Sequence, residues 1–418
     1  MQEQRIHIRN GRLVDPKNTV DQVTNLFVSD GKILALGDAP AGFPADRVID
    51  ASGCIICPGL VDISASLPNL DSELAAAVAG GVTAIACPPD TRPPLDEPGL
   101  VERLVQRSAL IGLARVFPIG ALTQQLAGEK LSEMMGLARA GCIAFSQAKK
   151  PIIDTQVLLR AMQYAATFDY AIRLQPQDYY LAHDGVAHDG EVASRLGLAA
   201  IPVCAETVAI STALHLAQET GVRLHLSKIS SAAGVALVRE AREGGVKVSC
   251  DITVHHLLLA ETDIGYFDSH ARFDPPLRSY SDRQALRKAV ADGLAVVCSD
   301  HTPVDEDGKQ VPFAEASPGA SGLELLLPLM LRCAEEESLP LTVVLARMTC
   351  DPADILGINA GSLEPGRNAD ICIFDPDATW RVKPENLRSQ GKNTPFLHGE
   401  MKGQVRATLV GGRLVFEA

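Results

Sequence analysis

Hydrophobic positions in this chain follow two different periods. At both ends apolar and polar residues alternate, the pattern of a half-buried strand. Residues 6–14 form a candidate strand or hairpin, and residues 25–36 read as two strands around the turn Asp30-Gly31. The C-terminal stretches 369–375 and 405–415 alternate in the same way. Neither end is large enough to bury a core alone, so the two are expected to pair into one small β-domain.

Between the ends, short apolar runs alternate with segments of helical period. The runs 60–66, 82–87, 114–120, 142–146, 171–174, 223–227, 247–253 and 294–298 read as strands. Helical patterns lie at 74–79, 99–107, 132–140, 156–165, 205–218, 232–243 and 282–292. Eight strands alternating with helices imply parallel pairing and a closed (β/α)8 TIM-type barrel. The expected fold is therefore α/β: a barrel over residues 57–349 and a small β-sandwich-like domain built from residues 1–56 and 350–418. A Gly-x-Gly-x-x-Gly fingerprint opening an early helix, which a dinucleotide-binding open sheet requires, is absent. The loop 304–322, rich in Asp, Gly, Pro and Ser, is expected to be the most mobile segment.

Composition narrows the function classes. The 418 residues are 46% hydrophobic, which supplies a large core, yet no apolar run reaches the ~18 residues of a membrane helix. With no signal-peptide pattern at the N-terminus, a cytoplasmic location is expected. A net charge of −13 with 4% aromatics disfavours a nucleic-acid surface, which needs basic stripes and stacking rings. The ten cysteines are scattered through apolar segments, which suits a reducing compartment. Cys54-Ile-Ile-Cys57 lacks the second pair a zinc knuckle needs and reads as two apolar cysteines. His183 and His188 read as a solvent-exposed loop, because no further ligand sits at metal spacing.

Several motifs in order resemble the dihydroorotases of the amidohydrolase superfamily. They are Pro58-Gly59-Leu60-Val61-Asp62, Ala79-Gly80-Gly81-Val82-Thr83, Gly141-Cys142-Ile143-Ala144-Phe145-Ser146 and His255-His256-Leu257. Pro275-Pro276-Leu277-Arg278, Ser299-Asp300-His301-Thr302-Pro303, Gly322-Leu323-Glu324, Asp370 and Asn393-Thr394-Pro395-Phe396 complete the set. The match spans nearly the whole chain, and it breaks at the residues that carry the chemistry.

The resemblance places two metal-binding histidines at Ser64 and Ser66, a carboxylate-type ligand near Gln147-Ala148, and further histidines at Gln175 and Lys228. Of the implied ligands only Asp300 is retained; in the family it also acts as general base on metal-bound water. Hydroxyls and amides are weak neutral donors, and a protonated amine repels a cation. Without a metal, Asp300 faces water of pKa ~15.7 rather than ~7. The implied substrate-carboxylate readers fall at Pro68 and Asp90, the asparagine before Pro-Pro-Leu-Arg is Asp274, and the second histidine of the last loop is Val304.

Lys228 and Asp300 are expected to meet as an ion pair in the vacated metal site. His301 is expected in the barrel mouth, where it is suited to an anion, and His255 and His256 are read as structural. A serine–lysine hydrolase built from Ser64 or Ser66 with Lys228 lacks an evident oxyanion hole. The resemblance thus implies a dihydroorotase-like pseudoenzyme with no catalytic residue, metal or cofactor. It is expected to support the aspartate carbamoyltransferase catalytic chain in a cytoplasmic hetero-oligomer and to self-associate, without nucleic-acid or membrane contacts. The alternatives are a metal-dependent cyclic amidohydrolase on a rearranged site and a small-anion sensor.

Overall fold

The computed structural model describes residues 4–418. The central alternation forms a parallel barrel of β1 (Leu60–Asp62), β2 (Val82–Cys87), β3 (Arg115–Ala121), β4 (Ala144–Ser146), β5 (Ala171–Leu174), β6 (Arg223–Leu226), β7 (Val248–Thr253) and β8 (Ala295–Cys298). Each strand pairs with the next, and a parallel bridge between Ala65 and His301 brings the first beside the last. All eight fall where the apolar runs place them.

Helices cover the outside, and several start on side-chain caps. Asn69 accepts from Asp71 N to open Leu70–Ala79, Ser231 accepts from Gly234 N to open Ala232–Glu243, and Ser279 with Asp282 forms a capping box on Tyr280–Ala291. Small side chains fill the barrel interior: Val61, Ile63, Ala84, Ala86, Ile119 and Ala144 form one buried cluster. Ala353 and Leu356 join this cluster, so the helix Cys350–Leu356 packs against the barrel. A division at 349/350 had assigned that helix to the end domain. A seven-residue helix lacks the period that would tie it to a distant barrel.

The two chain ends share one eight-stranded sheet. Ile55–Pro58 from the N-terminal part pairs antiparallel with residues 371–374 of the C-terminal strand Ile371–Arg381. The strand Ile55–Pro58 therefore crosses the expected boundary at residue 56. Asp30 and Gly31 both have positive φ, 52° and 73°, which turns the strand Val20–Ser29 tightly into Lys32–Leu36. One face of the sheet carries Ile6, Ile8, Leu26, Ile56, Ile371 and Leu409 in a core of its own. The other face turns Ile55, Cys57, Cys372 and Phe374 into the core that also packs the barrel helices.

The small β-sandwich-like domain is built as one continuous sheet that curls back on itself around its own core. Its far edge returns to the C-terminal segment, where Ile33 N donates to Arg367 O at 2.9 Å and Gly366 N to Ile33 O at 2.8 Å. Backbone pairing links the layers that alternation alone leaves separate. Cys57 stands directly opposite Cys372, and burial holds its thiol well above the ordinary range. No helix among the described residues is long and apolar enough to cross a membrane.

Asp370 joins the two units. Its carboxylate accepts from Gly411 N at 2.7 Å and pairs with Arg115, at the start of β3, at 2.5 Å. Gly59 N, just before β1, donates to its carbonyl at 2.9 Å. Burial raises its carboxyl above the ordinary value despite Arg115. Asp370→Ala leaves Gly411 N and Arg115 unpaired and is expected to cost about 2–3 kcal/mol in denaturant unfolding. Arg115→Ala is expected to cost at least as much as Asp370→Ala, because it strands the buried Asp370 carboxylate, whereas Arg115 itself is one-third exposed and can reach water.

Candidate functional site

The C-terminal ends of the barrel strands surround a cavity of about 480 Å³, part of it open to solvent. Ser64 and Ser66 after β1, Ser146 after β4, Gln175 after β5, Ser227 and Lys228 after β6, and Asp300 after β8 line it. Lys228 Nζ and Asp300 Oδ1 form an ion pair at its base, both side chains less than a tenth exposed. Burial pulls the Lys228 ammonium down, but the charge and hydrogen bond of Asp300 outweigh it and hold the group above the usual lysine range. Both residues have left-handed backbones, with φ of 61° and 46°, an uncommon state for non-glycine residues.

A second buried layer lies beneath this pair. Asp251 on β7 accepts from Lys228 N at 2.9 Å, meets His225 Nε2 at 2.8 Å and faces Arg173 at 3.6 Å. Burial pushes its carboxyl up, yet His225 and Arg173 outweigh that effect and bring it down to about 2. Asp62 accepts from Ser299 N at 3.1 Å and Ser64 N at 3.2 Å, with the Ser299 hydroxyl on its second oxygen. With no cation directly on it, burial raises Asp62 to about 6. Arg173 and Lys228 thus balance Asp251 and Asp300, while Asp62 is held by N–H and hydroxyl donors instead of a cation.

Such a mouth does not fit a divalent cation. Among the described residues no three His, Cys, Asp or Glu side chains cluster as metal ligands. The one well-placed carboxylate, Asp300, is already neutralised by an ammonium. Metal binding would have to break that pair and desolvate an ion against serine hydroxyls.

The remaining expected positions scatter. Asp90 is exposed on the rim and lines the cavity, whereas Pro68 is exposed outside it. Asp274 lies outside the cavity lining and accepts from Gln175 Nε2 at 3.2 Å. Gln147 is buried, and it lines a lateral pocket that adjoins the mouth at Ala148 and Gln175 rather than the mouth itself. His301 touches the mouth, but its ring is committed. Nε2 donates to Glu73 at 2.9 Å and Nδ1 accepts from Gly322 N at 3.0 Å, so no ring nitrogen is left for an anion. Glu73 lies 228 positions away, and nothing local in the sequence announces the contact.

His183 is exposed as read, but His188 is buried. It sits in the short strand Ala187–His188, paired with Ala200–Ile201, and accepts from Arg278 at 3.2 Å. The loop 304–322 is laced to the C-terminal tail: Val304 N donates to Asn393 Oδ1 at 2.9 Å, and Asn393 Nδ2 donates to Gly319 O at 3.0 Å. Asn393, from the motif Asn393-Thr394-Pro395-Phe396, ties down the loop expected to be mobile.

His255 and His256 are buried behind β8. His256 meets Thr253 Oγ1 at 2.7 Å and donates to Pro276 O at 3.2 Å. His255 packs against Phe273 and Phe396 with no hydrogen-bond partner on either nitrogen among the described residues. Burial lowers both rings to about 4.

Two expectations follow from these contacts. Lys228→Ala strands Asp300 as a buried charge and is expected to cost about 3–5 kcal/mol by chemical denaturation. Lys228→Met with Asp300→Asn is expected to recover most of that loss; equal losses in the single and double variants would argue against a coupled pair. Secondly, as pH falls from about 6.5 toward 4 the unfolded chain protonates His255 before the folded one does, so folded stability declines across that window. His255→Phe is expected to remove up to about 3 kcal/mol of this acid sensitivity, read as the difference in unfolding free energy between pH 7 and pH 4.

Comparison with known proteins agrees with the architecture. Residues 53–233 match the dihydro-orotase-like family, and residues 186–415 match the amidohydrolase family. A dihydroorotase-like protein of Pseudomonas aeruginosa is 43% identical over 421 residues, covering 99% of both chains. A dihydroorotase of Syntrophotalea carbinolica is 38% identical over 421 residues, again covering 99% of both. Among solved structures, the L-hydantoinase (dihydropyrimidinase) from Arthrobacter aurescens superposes with a TM-score of 0.88 at 26% identity, covering 99% of this chain and 96% of that one. With a barrel, an end domain and a motif order that all agree with these relatives, the chain belongs to the dihydroorotase-like proteins of the amidohydrolase family.

Proposed function

We propose that this chain is a catalytically inactive dihydroorotase-like subunit that structurally supports assembly of the aspartate carbamoyltransferase catalytic chain in pyrimidine biosynthesis. The observation that carries the loss of catalysis is the Lys228 ammonium seated on Asp300. An ammonium supplies the counter-charge a buried aspartate needs, so the barrel keeps its packing, but it lends no Lewis acidity and activates no water. Asp300 in turn is held by a cation and is not a free base. The partner is inferred from family resemblance alone; relatives named dihydroorotase-like, at 43% identity, and dihydroorotase, at 38%, support the family. A fold can keep its shape while its site chemistry is lost.

The test joins three measurements on the purified chain. Elemental analysis is expected to find less than about 0.1 zinc per chain, since the ligands that hold a catalytic zinc are missing. Dihydroorotate ring opening is expected to stay at background, and mixing with the aspartate carbamoyltransferase catalytic chain to yield a larger species by native mass. Stoichiometric metal with chelator-sensitive turnover would establish the rearranged amidohydrolase instead. Failure of the two chains to associate would remove the assembly role. Ser64→His with Ser66→His is expected to recruit no zinc while Lys228 remains, and elemental analysis of the variant reads this directly.

A further inference from the structure

Beside the barrel mouth lies a second pocket that the proposed assembly role does not use. It has about 810 Å³ of empty volume, part of it open to solvent, between the loops after β4 and β5 and the helices Thr155–Thr167 and Val203–Thr220. Its walls include Ile152, Leu158, Leu174 and Ala213, and Tyr179 and Tyr180 stand at its lip, 41% and 73% exposed.

One polar group in this lining has no partner. Thr123 Oγ1 accepts from Gly128 N at 2.9 Å and donates to Gln147 Oε1 at 3.0 Å, which fixes the Gln147 amide. Its Nε2 is buried without a hydrogen-bond partner among the described residues, and the side chain is 2% exposed. A buried N–H left unmade is costly, so this donor marks where an acceptor belongs. The nearby Asp178 carboxylate is occupied by Tyr180 N and Leu181 N at 3.0 and 2.9 Å.

We infer that this lateral pocket binds a small uncharged carbonyl compound with a compact apolar body, its oxygen accepting from Gln147 Nε2. The buried donor is neutral, and the one ammonium in the lining, Lys150, is exposed, so the inner end favours an amide or ketone over a carboxylate, whose desolvation it cannot repay. The inference does not depend on catalytic inactivity or on a carbamoyltransferase partner.

Phenylacetamide is the probe, with phenylacetate and toluene as controls, titrated calorimetrically into the full chain. Phenylacetamide is expected to bind more tightly than either control. Gln147→Leu is expected to weaken it about tenfold, the worth of one hydrogen bond. Ala213→Phe, which fills the wall and leaves Gln147 in place, is expected to abolish binding while circular dichroism and melting confirm a folded chain. No binding of phenylacetamide to the parent chain overturns the inference. So does unchanged affinity in a folded Ala213→Phe or Gln147→Leu variant, or preference for phenylacetate.

Discussion

Charge balance in the buried barrel mouth governs this molecule. Four full charges, on Arg173, Lys228, Asp251 and Asp300, are held at the strand ends with little access to water. None is tolerable alone, since the effective cost of burying an isolated ion is several kcal/mol. They are tolerable together because each carboxylate has a cation against it. A metal in the same place would meet the same need with coordination bonds. The chain places an amine there, and these four charges balance one another.

That balance explains why the surroundings are so well kept. The positive-φ backbones at Lys228 and Asp300 aim both side chains inward. Lys228 also presents its backbone N–H to Asp251, so the upper and lower layers share a residue. Ser299 plays the matching part on the other side, capping Asp62 through both its N–H and its hydroxyl. The layers thus form one network, in which removal of a single charge unbalances its neighbours.

The positions where the resemblance implies ligands do not all share one site. Ser64, Ser66, Gln175 and Lys228 face the mouth, and what they offer is hydroxyls, an amide and an ammonium. Gln147 lines the lateral pocket, and His301 is consumed by Glu73 and the backbone of Gly322. The end domain is fastened beneath by Asp370, which links β3 to the C-terminal strands through one carboxylate.

The amino-acid sequence by itself determined the eight barrel strands, the pairing of the two chain ends and the residue types at the positions where the resemblance implies ligands. Those properties are written in local period and residue type: apolar runs of strand length, an Asp-Gly turn, serine where a histidine would ligate. Tertiary structure alone decided where the side chains went. His301 was bound by a glutamate 228 residues away, His188 was buried by Arg278, and the loop 304–322 was tied down by Asn393. The helix Cys350–Leu356 joined the barrel rather than the end domain, and the end sheet closed through backbone bonds between residues 33 and 366–367. Each of these contacts joins groups far apart along the chain, and side-chain direction follows the partner that folding supplies, which no local pattern encodes.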